Sequence, residues 1–182
     1  VMGNRLSKIV TRTGDDGTTG LADGTRVPKD CARITSLGSI DELSSHLGVL
    51  LAEVLPSDIR SEMIQIQQDL FDLGAALALP GSSLDSEKLI RLDKAIASYN
   101  AGLPPLKEFI LPGGTRASSL CHVARCVTRR AERDLLHLIR SENENREGLR
   151  YLNRLSDLLF IVARVLNRTG GNTEILWMHQ KT

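Results

Sequence analysis

Aromatic side chains are scarce: Phe, Tyr and Trp together make up only 3% of the 182 residues. Strands are usually rich in aromatic and β-branched residues. A chain whose apolar content rests on Leu, Ala, Ile and Val therefore points away from a β fold and toward helices. Cysteine is as sparse. Cys31, Cys121 and Cys126 form no C-x-x-C pair, and their odd number excludes a fully paired disulfide framework. They read as buried small hydrophobes in a reducing compartment. No uncharged apolar run is long enough to span a bilayer, and the N-terminal "VMGNRLSK" lacks a signal-type hydrophobic segment. A cytoplasmic protein without membrane contact is the expectation. Net charge is missing too: 23 Lys and Arg against 22 Asp and Glu leave +1, which argues against broad nucleic-acid binding.

The chain does have enough length for one sizeable core, with 41% hydrophobic and 25% charged residues. Ser39, three residues before Glu42, predicts a capping box that opens a first helix carrying Ile40, Leu43, Leu47, Leu50 and Val54, and Asp41-Glu42 would then sit at its N-terminus. Pro56-Ser57 breaks it. Ile59, Met63, Ile66, Leu70, Leu73 and Leu77 give a second helix ending at Pro80-Gly81, and Leu89, Leu92 and Ile96 a third over about 86–99. The segment "AGLPPLKEFILPGG" cannot be helical, because its prolines remove donors and its paired glycines loosen the backbone. A long fourth helix from near Thr115 carries Leu120, Val123, Ala124, Val127, Ala131, Leu135 and Leu138 on one face. After the polar turn "SENENREG", a fifth over 149–168 is apolar almost all round and should be central. The expected fold class is all-α, an antiparallel five-helix bundle. One domain would fill 1–182: a loop region at 1–37, the bundle at 38–168 and a tail at 169–182.

Chemistry is suggested at three places. "TRTGDDGTTG", residues 11–20, interleaves three glycines with four threonines but matches neither standard nucleotide fingerprint. Its backbone N–H groups and hydroxyls could cradle an anion, with Lys29 or arginines elsewhere supplying positive charge. On the fourth helix Arg125, Arg129, Glu132 and Arg133 lie roughly opposite the core stripe, with Arg130 between the faces. Arginines so crowded suit a polyphosphate, though a solvated basic face explains them equally well. On the fifth helix Asn153, Asp157 and Arg164 align along one stripe and need a network, a subunit contact or a ligand. Phe109 and Ile110 fit no helical stripe, so they either fold onto the core or touch a ligand. His46, His122, His137 and His179 lack metal-ligand spacing, and no Ser or Cys nucleophile constellation is evident.

Together, "TRTGDDGTTGLADGTRVPKD", "GSIDELSSHLG", "FILPGG", "ARCVTRRAER" and "YLNRLSDLLF" closely resemble the ATP:cob(I)alamin adenosyltransferases of the propanediol-utilisation type, over nearly the whole chain. That resemblance implies a homotrimer that transfers the 5′-deoxyadenosyl group of ATP to the cobalt of cob(I)alamin and releases triphosphate. It places Thr11, Arg12, Thr13, Gly14, Thr19 and Gly20 on ATP, with Lys29 close by. A neighbouring subunit would bring Arg129, Arg130, Glu132 and Arg133, with Asn153 from the last helix. Arg125 would pair with Asp41 across the interface, and Phe109 would lie beneath the corrin ring. Mg2+ would arrive with the ATP phosphates rather than on protein ligands. The resemblance also implies a corrinoid reductase and an adenosylcobalamin-dependent enzyme as further partners. Cobalt is itself the nucleophile in such chemistry, consistent with the missing Ser, Cys or general-base constellation. The alternative reading is a non-catalytic ATP- or cobalamin-binding helical protein that delivers cofactor to a mutase.

Overall fold

The apolar stripes fold as five helices in a computed structural model that describes residues 10–142 and 145–178. They are α1 (Ala32–Leu51), α2 (Ser57–Ala78), α3 (Ser86–Ala101), α4 (Arg116–Glu142) and α5 (Glu147–Thr169), preceded by strands β1 (Thr18–Gly20) and β2 (Arg26–Pro28). Proline and turn chemistry set several ends. Pro56 stands immediately before α2, Pro80 two residues past its end, and Asp85 caps α3 by accepting from the Glu87 N–H at 3.0 Å. β1 and β2 pair antiparallel with Thr19 opposite Val27, joined through Asp23 and Gly24. The "SENENREG" turn includes residues 143–144, which lie outside the described residues, as do the N-terminal segment and His179.

α5 packs on α4 and α3, α4 also packs on α1, and α1 on α2. Short connections place α1 beside α2 and α4 beside α5, the arrangement of antiparallel neighbours. Tyr151, Leu152, Leu155, Leu158, Leu159, Val162, Ala163 and Leu166 of α5 are all buried, so its apolar sequence does mark a central helix, sharing that place with α4. A carboxylate is buried against them. The Asp69 carboxylate, 0% exposed, accepts from Tyr151 Oη at 2.8 Å, from Lys88 Nζ at 3.0 Å and from Arg91, tying α2 to α3 and α5. Burial pushes its pKa up, but hydrogen bonds from Lys88 and Tyr151 and the Arg91 charge outweigh that and hold it below the ordinary value.

Three expectations need correction. α1 starts seven residues before Ser39, at Ala32, so Asp41-Glu42 lies within the helix rather than at its N-terminus. Tertiary contacts override the local cap. Arg33 in the first turn is 3% exposed and donates to the Leu77 carbonyl and to Glu142, while the Ser39 hydroxyl donates to Asp134 on α4 at 2.5 Å. Val54 lies beyond the helix end and is 97% exposed; Val123, expected in the α4 stripe, is partly exposed. Among the described residues, no helix is long and apolar enough to cross a membrane.

Candidate active site

The Gly/Thr loop is held by its own hydrogen bonds. Asp16 Oδ1 accepts from the Thr18 N–H at 2.9 Å and the Thr18 hydroxyl at 2.8 Å, and these bonds lower its pKa. Arg26 on β2 reaches across the hairpin, donating to the Thr13 carbonyl at 2.6 Å and through Nε to Thr18 Oγ1 at 3.0 Å. Lys29 covers Gly14 so closely that a Cβ there would stand 2.8 Å from Nζ. Thr11 and Thr13 hydroxyls hydrogen-bond each other at 3.0 Å, and Arg12 between them has a positive φ of 61°. Thr19 and Gly20 extend along β1. The structure therefore brings Lys29 to the loop as expected, and adds Arg26. The sequence did contain a sign of Arg26: Asp23-Gly24 is a strong hairpin-turn pair, which sets Arg26 across from the Thr18–Gly20 segment.

On α4, Arg129, Arg130 and Arg133 are exposed, while Arg125 and Glu132 are half-buried. Arg130 pairs with Glu42 of α1. Glu42, His46, Val123, Cys126, Arg130 and Arg133 line a depression of about 600 Å3. Cys126 is exposed there, not buried as its type suggested. Arg125 Nε donates to His122 Nδ1 at 3.3 Å, and the His122 ring stacks edge-on with Phe160. Asp41 is exposed on α1, and among the described residues it makes no ion pair with Arg125 within the chain. The row of arginines and the Gly/Thr loop likewise share no hydrogen bond or ion pair among the described residues. The α5 stripe divides. Asn153 and Asp157 are exposed, whereas Arg164 is buried and paired with Glu174.

His122 gives this region a pH dependence. Burial first, and the Arg125 charge second, push its pKa from 6.5 down to about 4. The unfolded chain then binds a proton more readily than the folded one, so acid weakens the fold between those two values. Urea midpoints of the wild type should fall as pH drops from 6.5 to 4, and those of His122→Asn should fall less. Parallel pH profiles would contradict a buried neutral imidazole.

The Phe109 loop lies over the C-terminal half of α5. Gly114 has a φ of 97°, and a Cβ on it would stand 1.9 Å from Asn167 Oδ1, which accepts from the Thr115 N–H at 3.2 Å. Only glycine fits at that place. Phe109 is 76% exposed, with its ring edge-on to Trp177 at 6.4 Å; Ile110 pairs with Leu176 in an isolated antiparallel bridge. The sequence reading missed Trp177, although the apolar "EILWM" after Gly170-Gly171 marked a tail with something to pack against. Beneath this loop, Pro112, Gly113, His122, Arg164, Asn167 and Glu174 line a cavity of about 440 Å3.

Residues 9–166 match the family model for cobalamin adenosyltransferase. The chain belongs to that family. It is 55% identical to a cobalamin adenosyltransferase of Cupriavidus metallidurans, with 99% of each chain aligned. Identity to a corrinoid adenosyltransferase of Bacillus subtilis is 46%, over 90% of this chain and 89% of that one. A solved variant of the PduO-type ATP:corrinoid adenosyltransferase from Lactobacillus reuteri, complexed with cobalamin and ATP, superposes with a TM-score of 0.90 at 35% identity, covering 94% of this chain and 100% of the other. This adenosyltransferase is a transferase enzyme, as its motifs led one to expect.

Proposed function

We propose that this adenosyltransferase works at a site built from two chains, the Gly/Thr loop of one and the α4 arginines of its neighbour in a homotrimer. The reaction moves the 5′-deoxyadenosyl group of ATP to cobalamin. Co(I) of the bound substrate attacks the ribose 5′ carbon, a cobalt–carbon bond forms, and the carbon–oxygen bond breaks with its electrons leaving on triphosphate. The protein then has two tasks: aligning two large substrates and stabilising charge that grows on the leaving group. Thr11, Arg12, Thr13, Gly14, Thr19 and Gly20 would wrap the triphosphate, with Lys29 over Gly14. Arg129, Arg130, Glu132, Arg133 and Asn153 would face it from the neighbour. Mg2+ would enter on the phosphate oxygens of ATP.

The observation that carries this reading is that the Gly/Thr loop and the row of α4 arginines share no hydrogen bond or ion pair within one chain among the described residues. An apolar groove beside Asp41, where Phe71 is 69% exposed, supports a subunit contact on that face. Arg125 and Asp41 would meet across that contact. The exposure and aromatic chemistry of Phe109 favour a role against the corrin, where an apolar ring would keep a lower ligand and water from the cobalt and ease reduction of Co(II). A cytoplasmic setting, an upstream corrinoid reductase and a downstream adenosylcobalamin-dependent enzyme belong to the same proposal.

Phe109→Ala tests the cobalamin side. Starting from cob(II)alamin with a weak reductant, turnover should fall sharply. Starting from cob(I)alamin made by a strong reductant, the loss should be much smaller, because the nucleophile already exists and the ATP contacts are untouched. Equal losses in both assays would remove the wedge role and leave Phe109 a packing residue.

A further inference from the structure

Residues 174–177 run back along the Phe109 loop as a strap. Trp177 N–H donates to the Phe109 carbonyl at 2.7 Å, and Leu111 N–H donates to the Ile175 carbonyl at 2.8 Å. The strap is rooted by a buried ion pair. Arg164 of α5, 4% exposed, donates through Nε to Glu174 Oε1 at 2.5 Å and through Nη2 to Glu174 Oε2 at 3.3 Å; the Glu174 side chain is 11% exposed. The same Nη2 donates to the Pro104 carbonyl at 2.8 Å. One guanidinium thus holds the strap and the entrance to the Phe109 loop together.

The loop needs such support. It is non-helical from Leu103 to Gly114, Phe109 lies outside the buried core, and an exposed aromatic held in one orientation gives up rotamer and backbone freedom. The edge-on Trp177 ring and the short backbone ladder restrict where Phe109 can point. An ion pair as enclosed as Arg164–Glu174 is costly to leave half-made, which favours the docked strap over a released one. We propose that Arg164, Glu174 and Trp177 are positioning residues that fix the Phe109 ring for the cobalamin half of the reaction. The inference rests on the reading that Phe109 faces the corrin.

Trp177 is the only tryptophan in the chain, so intrinsic tryptophan emission reports the strap directly. Three variants of the full-length enzyme test the proposal: Trp177→Ala, Trp177→Phe and Glu174→Gln. Trp177 is partly exposed, so its replacement should leave melting nearly unchanged. With cob(II)alamin and a weak reductant, Trp177→Ala should lose on the order of tenfold in turnover, as misplacement of a reacting geometry does. Trp177→Phe, which keeps an aromatic edge, should recover most of it, and KM for ATP should stay constant in both. Glu174→Gln should redden the emission, make it more quenchable by acrylamide, and give the same selective loss. Wild-type cob(II)alamin turnover in Trp177→Ala would overturn the proposal. So would wild-type turnover in Glu174→Gln with its emission shifted, or a KM for ATP that rises as far as turnover falls. Phe109→Ala separates the two levels. If it impairs the cob(II)alamin route while the strap variants do not, only the strap inference fails; if it has no effect there, the corrin-facing reading fails with it.

Discussion

Arg129→Ala should lower kcat/KM for ATP by a factor of roughly 30 to 1,000, equivalent to about 2–4 kcal/mol of lost transition-state stabilisation. The size follows from where the charge goes. A triphosphate gains negative charge as the carbon–oxygen bond breaks, so a guanidinium fork on its oxygens binds the transition state more strongly than the ground state. Arg129→Lys keeps the charge but loses the planar fork, and should recover only part of the rate. Because Arg129 is exposed on α4, its removal should scarcely alter melting. Steady-state kinetics beside thermal unfolding checks both halves. Normal kinetics in Arg129→Ala would mean that the arginine face is simply solvated.

Asp69→Ala has the opposite signature, a large loss of stability with little change in turnover per folded molecule. Removing one partner of a buried charge network ordinarily costs 3–5 kcal/mol, and about 3 kcal/mol is expected here. The low end applies because Lys88 retains Asp72 at 2.7 Å and Arg91 retains Glu62. Tyr151, fully buried, keeps no such substitute for the carboxylate its hydroxyl meets. The same carboxylate contributes to acid sensitivity. Its pKa lies below 3.8 in the folded state, so its stabilisation is complete above that value and is lost as pH falls through the lowered pKa. Urea unfolding of the variant, together with a flatter stability profile below pH 3.8 than the wild type shows, measures both effects.

These two residues illustrate how unevenly the sequence could be read. The apolar periods of α2, α4 and α5 were plain because burial on one helix face leaves a direct mark on residue spacing. Asp69 was invisible, since nothing local distinguishes a carboxylate that meets Lys88, Arg91 and Tyr151 from one that meets water. The start of α1 is hidden for the same reason: Ser39 and Glu42 match a capping pattern in sequence, but Arg33 is anchored by partners from α2 and α4, so the helix begins at Ala32 and Ser39 bonds Asp134 instead. At the site, the Gly/Thr loop and the arginines stood out as residue types in unusual company. The roles of Arg26, His122 and Trp177 depend on partners 13, 3 and 68 residues away (Thr13, Arg125 and Phe109); the Asp23-Gly24 hairpin and the apolar tail around Trp177 left local signals, whereas His122 left none.

The shared site is most directly tested by complementation between two inactive proteins. Arg129→Ala subunits carry an intact loop, and a variant with Thr13 and Gly14 both replaced carries intact arginines. Neither should be active alone. Refolded together into mixed trimers, some interfaces would pair an intact loop with intact arginines from the neighbouring chain, and adenosylcobalamin formation should reappear in proportion to those interfaces. Mixed trimers that demonstrably form and remain inactive would contradict a site built from two chains.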